Sequence, residues 1–185
     1  MATLSIRDED RTLTDPKEIG DFLAPFGIWY RRFEGDELPS TATNEEILAA
    51  YKAPIDELMA EGGYVTADVI NITPEIPGLD AMLAKFDKEH WHDEDEVRFI
   101  VKGSGLFHIN PGDAGPVFSV EVVAGDMIKV PQGTHHWFHM CQSKTIQAIR
   151  LFQSKAGWTP HYTQSKVDAR YIPMCFGPEF VPAAN

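Results

Sequence analysis

The middle of the chain reads His90-Trp91-His92-Asp93-Glu94-Asp95-Glu96-Val97-Arg98-Phe99. In a β-strand, side chains two residues apart point to the same side. His90 and His92 therefore converge, and Glu96 and Arg98 join them if the strand continues unbroken. The stretch predicts two imidazoles, one carboxylate and one guanidinium on a single face, while Phe99 points to the opposite side, into packing.

From residue 90 onward, short runs of β-branched and aromatic residues alternate with turn signals rich in glycine, proline, asparagine and aspartate. The runs cover residues 97–102, 106–109, 117–123, 127–130 and 145–152. Short strands about 8–12 residues apart are typical of a β-sandwich or a small barrel. Because strands and helices do not alternate here, we expect a mainly β protein rather than a parallel α/β sheet.

The N-terminal third predicts helices in front of this β region. Apolar residues recur at helical spacing after Thr43, and the pattern ends at Gly62-Gly63. Pro54 interrupts the pattern, which predicts either a kink or two abutting helices. Strands are expected over 27–33 and 64–70, and a short helix is expected over 80–88.

The length of 185 residues corresponds to about one domain. We therefore expect a single domain over residues 1–185. Its predicted parts are a mixed helix and strand portion (1–63), a barrel with a metal site (64–160) and a C-terminal tail (161–185). With 43% hydrophobic and 24% charged residues, the composition is that of a soluble globular protein that needs no disulfide to fold.

The formal net charge of −12 argues against nucleic-acid binding, which needs a basic face, and against binding to anionic membranes. Cys141 and Cys175 form no C-x-x-C pair, so we expect free thiols in a reducing compartment. The first ten residues lack the apolar stretch of a signal peptide, and no apolar run reaches the roughly 18 residues of a membrane span. These features predict a cytoplasmic protein.

A second segment, residues 125–138, ends a predicted strand in Pro131-Gln132-Gly133 and resumes at His135. Such a hairpin can deliver His136 to the face formed by the first stretch. Three imidazoles and one carboxylate suit a first-row divalent ion such as Fe, Ni, Mn or Zn. The absence of a thiolate ligand disfavours a structural zinc site.

The competing interpretation is an exposed charged turn with surface histidines. For the first stretch alone, this interpretation is the better one. The second segment changes the balance, because it supplies a further histidine at a suitable distance in an all-β context. The two segments together predict a metal site.

The spacing of the two segments is itself informative. The first reads His90-x-His92-x3-Glu96-x6-Gly103, and the second reads Gly125-x5-Pro131-x-Gly133-x2-His136. These patterns resemble the two motifs of the cupin superfamily, although Met140 stands where the second motif usually closes with asparagine. The resemblance implies a mainly β, jelly-roll-like cupin barrel with N-terminal α-helices.

Several further stretches narrow the resemblance. They are Pro77-Gly78-Leu79-Asp80, Lys85-Phe86, Glu89-His90, Asp95-Glu96-Val97-Arg98-Phe99, Gly105-Leu106-Phe107, Val130-Pro131, Gly133-Thr134, His136-Trp137-Phe138, Ile149-Arg150-Leu151-Phe152 and Gly157-Trp158. Over about residues 64–160 the chain resembles the acireductone dioxygenase family. The tail from His161 onward adds little to this resemblance.

The resemblance implies a monomeric, cytoplasmic oxidoreductase of methionine salvage. Such enzymes cleave an acireductone, 1,2-dihydroxy-3-keto-5-methylthiopentene, with molecular oxygen. With Fe(II) the products are formate and the 2-keto acid precursor of methionine. With Ni(II) they are formate, carbon monoxide and methylthiopropionate. One Fe(II) or Ni(II) per chain is expected, with the enediolate and O2 as the small-molecule partners.

The resemblance also implies roles for particular residues. The metal ligands are His90, His92, Glu96 and His136, and Arg98 is the catalytic residue that orients the enediolate. Substrate-binding positions are Phe86, Phe99, Arg150 and Trp158, and His139, which replaces the usual aspartate, is a supporting position. Apart from the resemblance, Asp95 is a second supporting candidate or else part of a solvated turn. For Phe99 the substrate-binding role conflicts with strand alternation, which a bulge would reconcile.

Other interpretations of these residues remain open. His139 is also consistent with a surface hairpin residue, and Trp158 with simple packing. Arg150 needs an anionic partner, which is either substrate or a protein carboxylate. Structural or surface roles are expected for His108, His135 and His161. The rival functions are a cupin dioxygenase or decarboxylase for another enol or keto acid, a non-catalytic metal- or small-molecule-binding cupin, and a relict site without metal.

Overall fold

The computed structural model describes residues 1–33, 38–39, 41–154, 158–171, 173 and 175. Its strands are β1 (Thr3–Ile6), β2 (Arg11–Leu13), β3 (Trp29–Arg32), β4 (Thr66–Ile72), β5 (His90–Trp91), β6 (Glu96–Asn110), β7 (Phe118–Val123), β8 (Asp126–Val130), β9 (His135–Met140), β10 (Ile146–Phe152) and β11 (His161–Tyr162). Its α-helices are α1 (Pro16–Leu23), α2 (Asn44–Ala50), α3 (Lys52–Gly62) and α4 (Leu79–Leu83). Gly157 and the end of the predicted tail, 176–185, lie outside the described residues.

Strand β6 is shared by two antiparallel sheets. Its first half pairs with β8 and β10, which gives the strand order β3-β8-β6-β10-β4. Its second half pairs with β7 and β9, which gives the order β11-β5-β9-β6-β7-β1-β2. The two sheets enclose a barrel, and the predicted mainly β cupin fold with N-terminal helices is confirmed.

Gly103 lies where β6 passes from one sheet to the other. Its φ is +78°, and a Cβ built there would lie 2.0 Å from the carbonyl oxygen of Thr145. Only glycine adopts this conformation without strain and leaves room for the neighbouring backbone. Gly103, the last residue of the first motif, therefore allows β6 to pass from one sheet to the other.

Two abutting helices follow Thr43, as one of the two sequence interpretations predicted. Thr43 caps α2 in a capping box with Glu46, whose carboxylate accepts the Thr43 backbone N–H at 2.8 Å. Pro54 lies in the first turn of α3, where its missing N–H leaves no helical hydrogen bond unmade. The helix predicted over 80–88 is shorter than expected, because α4 ends at Leu83.

The sheet that contains β3 and β4 packs apolar side chains on both faces. One face contributes Ile100, Ile128 and Ile146 to the core inside the barrel. The other face packs against the α2–α3 region. Phe99 belongs to this second core, with its ring centroid 4.6 Å from that of Tyr51. Strand alternation thus places Phe99 on the helix side of the sheet.

The cysteines correct one sequence prediction. Cys141 and Cys175 were expected as free thiols, but they form a disulfide. Their separation of 34 residues carries no local signal of pairing, because only the path of the C-terminal segment brings them together. Of the helices in the described residues, none is long and apolar enough to cross a membrane.

Candidate metal centre

Four polar side chains meet inside the barrel. They are His90, His92, Glu96 and His136, each at most 3% exposed. One potential ligand atom from each lies within 4.8 Å of the others, and the group can hold a metal ion. A buried set of three imidazoles and one carboxylate is a donor set for a divalent first-row ion.

The four side chains come from the short strand β5, the turn after it, the start of β6 and the start of β9. His90 pairs directly with His136 between β5 and β9, and Glu96 is the first residue of β6. The unbroken strand assumed in the sequence prediction is wrong, because β5 ends at Trp91 and residues 92–95 form a turn. The side chains converge nonetheless, since the turn returns Glu96 to the interior face.

Each of the three histidines places its Nδ1 atom near a backbone carbonyl oxygen. The pairs are His90 with Lys88 (2.6 Å), His92 with Thr159 (3.0 Å) and His136 with Thr134 (2.8 Å). A carbonyl only accepts, so Nδ1 carries the proton and the lone pair is on Nε2. Backbone contacts of this kind fix the tautomer and the ring orientation of metal-binding histidines.

Two of the three Nε2 atoms lie close to the same carboxylate oxygen of Glu96. Glu96 Oε2 lies 3.1 Å from His92 Nε2 and 3.2 Å from His136 Nε2. The Nε2 atom of His92 is buried and makes no well-aligned hydrogen bond with any described residue. Metal–ligand bonds of about 2.1 Å at right angles put neighbouring ligand atoms about 3 Å apart, so these distances fit atoms that share one cation.

The charges of the site also fit a cation. Burial raises the pKa of Glu96, but opposing interactions, led by the charge of Arg98, hold it well below its ordinary value. Burial, together with the neighbouring His136, lowers the pKa of His90 to about 4. At neutral pH the cluster therefore offers a carboxylate and a neutral imidazole, the forms that bind metal.

Arg98 lies beside the cluster on β6. Its Nε donates to Glu96 Oε1 at 2.6 Å, and its guanidinium carbon lies 5.1 Å from the ring centroid of Trp158 and 5.3 Å from that of Phe138. Trp158 is fixed in turn, because its indole N–H donates to the carbonyl of Asp95 at 3.1 Å. The structure thus places Arg98 and Trp158 beside the cluster, where the sequence analysis expected them.

Arg150 lies one strand further along the sheet. It forms a two-pronged ion pair with Asp68, with distances of 2.8 and 2.6 Å. Of the two partners left open by the sequence, the structure thus supplies a protein carboxylate. The Arg150 guanidinium carbon also lies 5.6 Å from the ring of Trp158, so Arg150 contacts the site through that ring.

The remaining predicted residues divide into two groups. Phe86 reaches the site, with its ring centroid 6.0 Å from that of His90. Asp95 fastens the 92–95 turn, because its carboxylate accepts from the Tyr64 hydroxyl and the Gln132 backbone N–H, both at 3.0 Å. Phe99 packs on the helix side, and the structure does not bring it to the cluster.

His139 also lies away from the four ligands. Alternation along β9 turns it to the face opposite His136, where its ring centroid is 5.3 Å from that of His108. His161 contacts Asp93 at 2.6 Å, and His135 is exposed. The structure therefore agrees with the expectation that His135 and His161 are not metal ligands.

Sequence reasoning missed two aromatic neighbours of the site. Phe138 packs against Arg98, and the ring centroid of Phe107 lies 6.4 Å from that of His136. Phe138 follows His136 by two residues on β9, so the strand period alone could have predicted its position. Phe107 is brought in by the pairing of β6 with β9, which no local pattern encodes.

An antiparallel barrel with three histidines and one glutamate buried inside defines a metal-binding protein of the cupin type. More specifically, this chain belongs to the ARD/ARD' family, whose model matches residues 9–160. A curated acireductone dioxygenase from Picosynechococcus sp. is 48% identical over 172 residues, covering 92% of this chain and 97% of the relative. One from Aquifex aeolicus is 40% identical over 162 residues, covering 87% of each chain.

A solved structure gives the same answer for the fold. The acireductone dioxygenase from Bacillus anthracis with a cadmium ion in its active center has a TM-score of 0.81 to this chain at 36% identity. The match covers 88% of this chain and 98% of the other.

Proposed function

We propose that this chain is an acireductone dioxygenase of methionine salvage. It cleaves the 1,2-dihydroxy-3-keto-5-methylthiopentene substrate with O2, using one Fe(II) or Ni(II) ion per chain. It acts as a monomeric, single-domain enzyme of the cytoplasm. The observation that carries the proposal is the buried cluster of three tautomer-fixed histidines and Glu96 with Arg98 beside it, and relatives named for this activity support it.

The residues that hold the metal are His90, His92, Glu96 and His136. When bound, the ion supplies a Lewis acid and a template for the two oxygens of an enediolate. The single carboxylate leaves a divalent site with net positive charge, which favours the deprotonated substrate. With Fe(II) held by these residues the products would be formate and the 2-keto acid, and with Ni(II) they would be formate, carbon monoxide and methylthiopropionate.

Arg98 orients the substrate. Its guanidinium carries five N–H donors, and the hydrogen bond to Glu96 uses Nε, so with respect to the described residues the terminal nitrogens are left for enediolate oxygens. Packing against Phe138 and Trp158 restricts the plane of the group. A buried, pre-oriented cation holds the anionic form of the substrate better than a solvated one does.

Aromatic side chains form the apolar part of the pocket. Phe86, Phe138 and Trp158 lie around the ligands and Arg98. They exclude water and offer ring contacts to the sulfur of the methylthio tail, a contact known to be favourable for thioethers. Arg150, held by Asp68, also contacts the Trp158 ring, with its guanidinium carbon 5.6 Å from the ring centroid.

An oxygen electrode with synthetic acireductone tests the proposal. Metal-free protein should consume little oxygen above the uncatalysed rate, and added Fe(II) or Ni(II) should restore consumption. His136→Ala should abolish the restored rate, whereas the exposed His135→Ala should retain it. No oxygen uptake with either metal would overturn the assignment and favour a cupin that acts on another enol or keto acid.

A further inference from the structure

Residues 158–165, which we call the strap, dock against the segment that carries His90 and His92. Two hydrogen bonds lie at the start of the strap, from Trp158 Nε1 to the Asp95 carbonyl (3.1 Å) and between His92 Nδ1 and the Thr159 carbonyl (3.0 Å). Three more follow along the strap: His161 Nε2 with Asp93 (2.6 Å), the Tyr162 hydroxyl to the Lys85 carbonyl (3.0 Å) and the Thr163 N–H to the Glu89 carbonyl (3.1 Å). The strap thus contacts the metal-site segment along most of its length.

The segment depends on this support because its own strand is short. Strand β5 has two residues and meets β9 through the single pair His90–His136. Its other edge pairs with β11 of the strap, with Tyr162 opposite His90. Without the strap, His90 would lie on a two-residue edge strand, and the backbone of His92 would keep its hydrogen bond from the Gly133 N–H at 3.0 Å but lose the contact that orients its ring.

Glu89 fastens the strap beside the first ligand. This carboxylate is 2% exposed and accepts hydrogen bonds from the hydroxyls of Thr163 and Ser165. It also accepts from the Asn110 side chain at 2.5 Å, at the end of β6. A buried carboxylate needs such donors, so the strap and the barrel meet at a group adjacent to His90.

The chain beyond the strap is anchored to the barrel. Tyr171 donates its hydroxyl to Asp8 at 2.8 Å. Cys175 is joined by the disulfide to Cys141, which directly follows β9. The covalent link therefore ties Cys175, which lies beyond the strap, to the residue that follows the strand carrying His136.

We propose that the strap positions His90 and His92 for the metal, and that the Cys141–Cys175 disulfide keeps it docked, so that reduction of the disulfide speeds metal loss. A dithiol reductant supplies two electrons and two protons and becomes a disulfide, while Cys141 and Cys175 become thiols. In a reducing compartment, protein disulfides are usually transient and redox-sensing. The inference rests on the metal site of the proposed function, and not on the identity of the substrate.

The test measures metal release rather than turnover. Oxidised, Ni(II)-loaded protein is mixed with excess chelator, and the release rate is compared with that of protein reduced by a phosphine that is removed beforehand. We expect release about tenfold faster after reduction, in line with the loss of groups that support metal ligands. Cys175→Ser should release Ni(II) quickly with or without the phosphine.

A matched pair of variants tests the strap itself. Ser165→Ala removes a hydroxyl donor to Glu89, whereas Thr14→Val removes an exposed hydroxyl near the N-terminus. Only Ser165→Ala should speed metal release. Limited proteolysis before and after reduction gives a second readout, since an undocked strap should be cleaved before the barrel, and this comparison needs no variant.

The outcomes separate the two proposals. Equal release rates and equal proteolysis in oxidised and reduced protein would overturn the strap inference and leave the proposed function intact. Redox-dependent metal release without acireductone turnover would overturn the proposed function alone. Failure of the oxidised protein to bind either Ni(II) or Fe(II) would overturn both.

Discussion

Arg98 and Arg150 face each other directly across strands β6 and β10. Their guanidinium carbons lie 5.1 and 5.6 Å from the ring centroid of Trp158. Two like charges on neighbouring strands repel each other, and each is offset by its own carboxylate, Glu96 for Arg98 and Asp68 for Arg150. The proposed substrate-orienting cation is therefore part of a charge row in which two neighbouring arginines are flanked by two carboxylates.

Removing Asp68 should expose this repulsion. In Asp68→Asn, Arg150 loses its two-pronged partner while it still faces Arg98, so the free energy of unfolding should fall by about 1 kcal/mol, since the pair is partly exposed. In an Arg150→Leu background the same substitution should cost almost nothing. Urea unfolding of the four proteins measures this coupling, and an equal cost in both backgrounds would contradict the charge row.

Trp158 should matter for substrate binding and not for the number of metal ions bound at saturation, although the loss of its strap hydrogen bond to Asp95 should speed metal release. Trp158→Leu removes a ring that packs against both guanidinium groups, so KM should rise about tenfold, in line with the loss of a buried cation–π contact. The metal content per chain should stay the same, because the four ligands are untouched. Steady-state kinetics and metal analysis of the same sample make the comparison.

Trp29 offers a matched control for that variant. Arg31 stacks over it on β3, with its guanidinium carbon 4.7 Å from the ring centroid. Strand β8 separates β3 from β6, the strand that carries Glu96 and Arg98. Trp29→Leu should leave KM unchanged. If Trp158→Leu instead lost its metal, the ring would be a structural support of the ligands rather than a wall of the substrate pocket.

The buried His108 and the half-buried His139 should make the fold acid-sensitive. Burial, with a contribution from His139, lowers the pKa of His108 to about 3, and burial lowers the pKa of His139 to about 4. Both folded pKa values lie below the unfolded value of about 6.5. As the pH falls below about 6.5, these two histidines therefore become protonated in the unfolded chain while they stay neutral in the folded chain. Stability is therefore complete above about pH 6.5 and is lost as the pH falls toward 4.

His139→Gln should remove part of this loss. Between pH 7.5 and 5.5 the free energy of unfolding of the parent chain should fall by about 1 kcal/mol more than that of the variant. Urea unfolding of metal-free protein at the two pH values measures the difference. Parallel losses in both proteins would show that His139 takes up protons in the folded state.

Local patterns predicted which side chains converge inside the barrel. The two-residue period of a strand placed Phe99 opposite Arg98, and the structure has it there, packed against Tyr51. Motif spacing brought His136 to His90 and His92, because a hairpin after Pro131 returns the chain to the same barrel. These features depend on a few consecutive residues and are therefore visible in the sequence.

Long-range contacts could not be predicted in the same way. Asp68 and Arg150 are 82 residues apart, and they meet only because of the register between β4 and β10. The Cys141–Cys175 disulfide depends equally on the path of the C-terminal segment. In both cases the partner is chosen by strand order and packing, for which the flanking residues carry no signal.

The most direct test of the account is product analysis of one purified chain loaded first with Fe(II) and then with Ni(II). With acireductone and O2, we predict formate from both forms, the 2-keto acid from the Fe(II) form and carbon monoxide from the Ni(II) form, each at one metal ion per chain. No oxygen-dependent loss of acireductone by either fully loaded form would contradict the account.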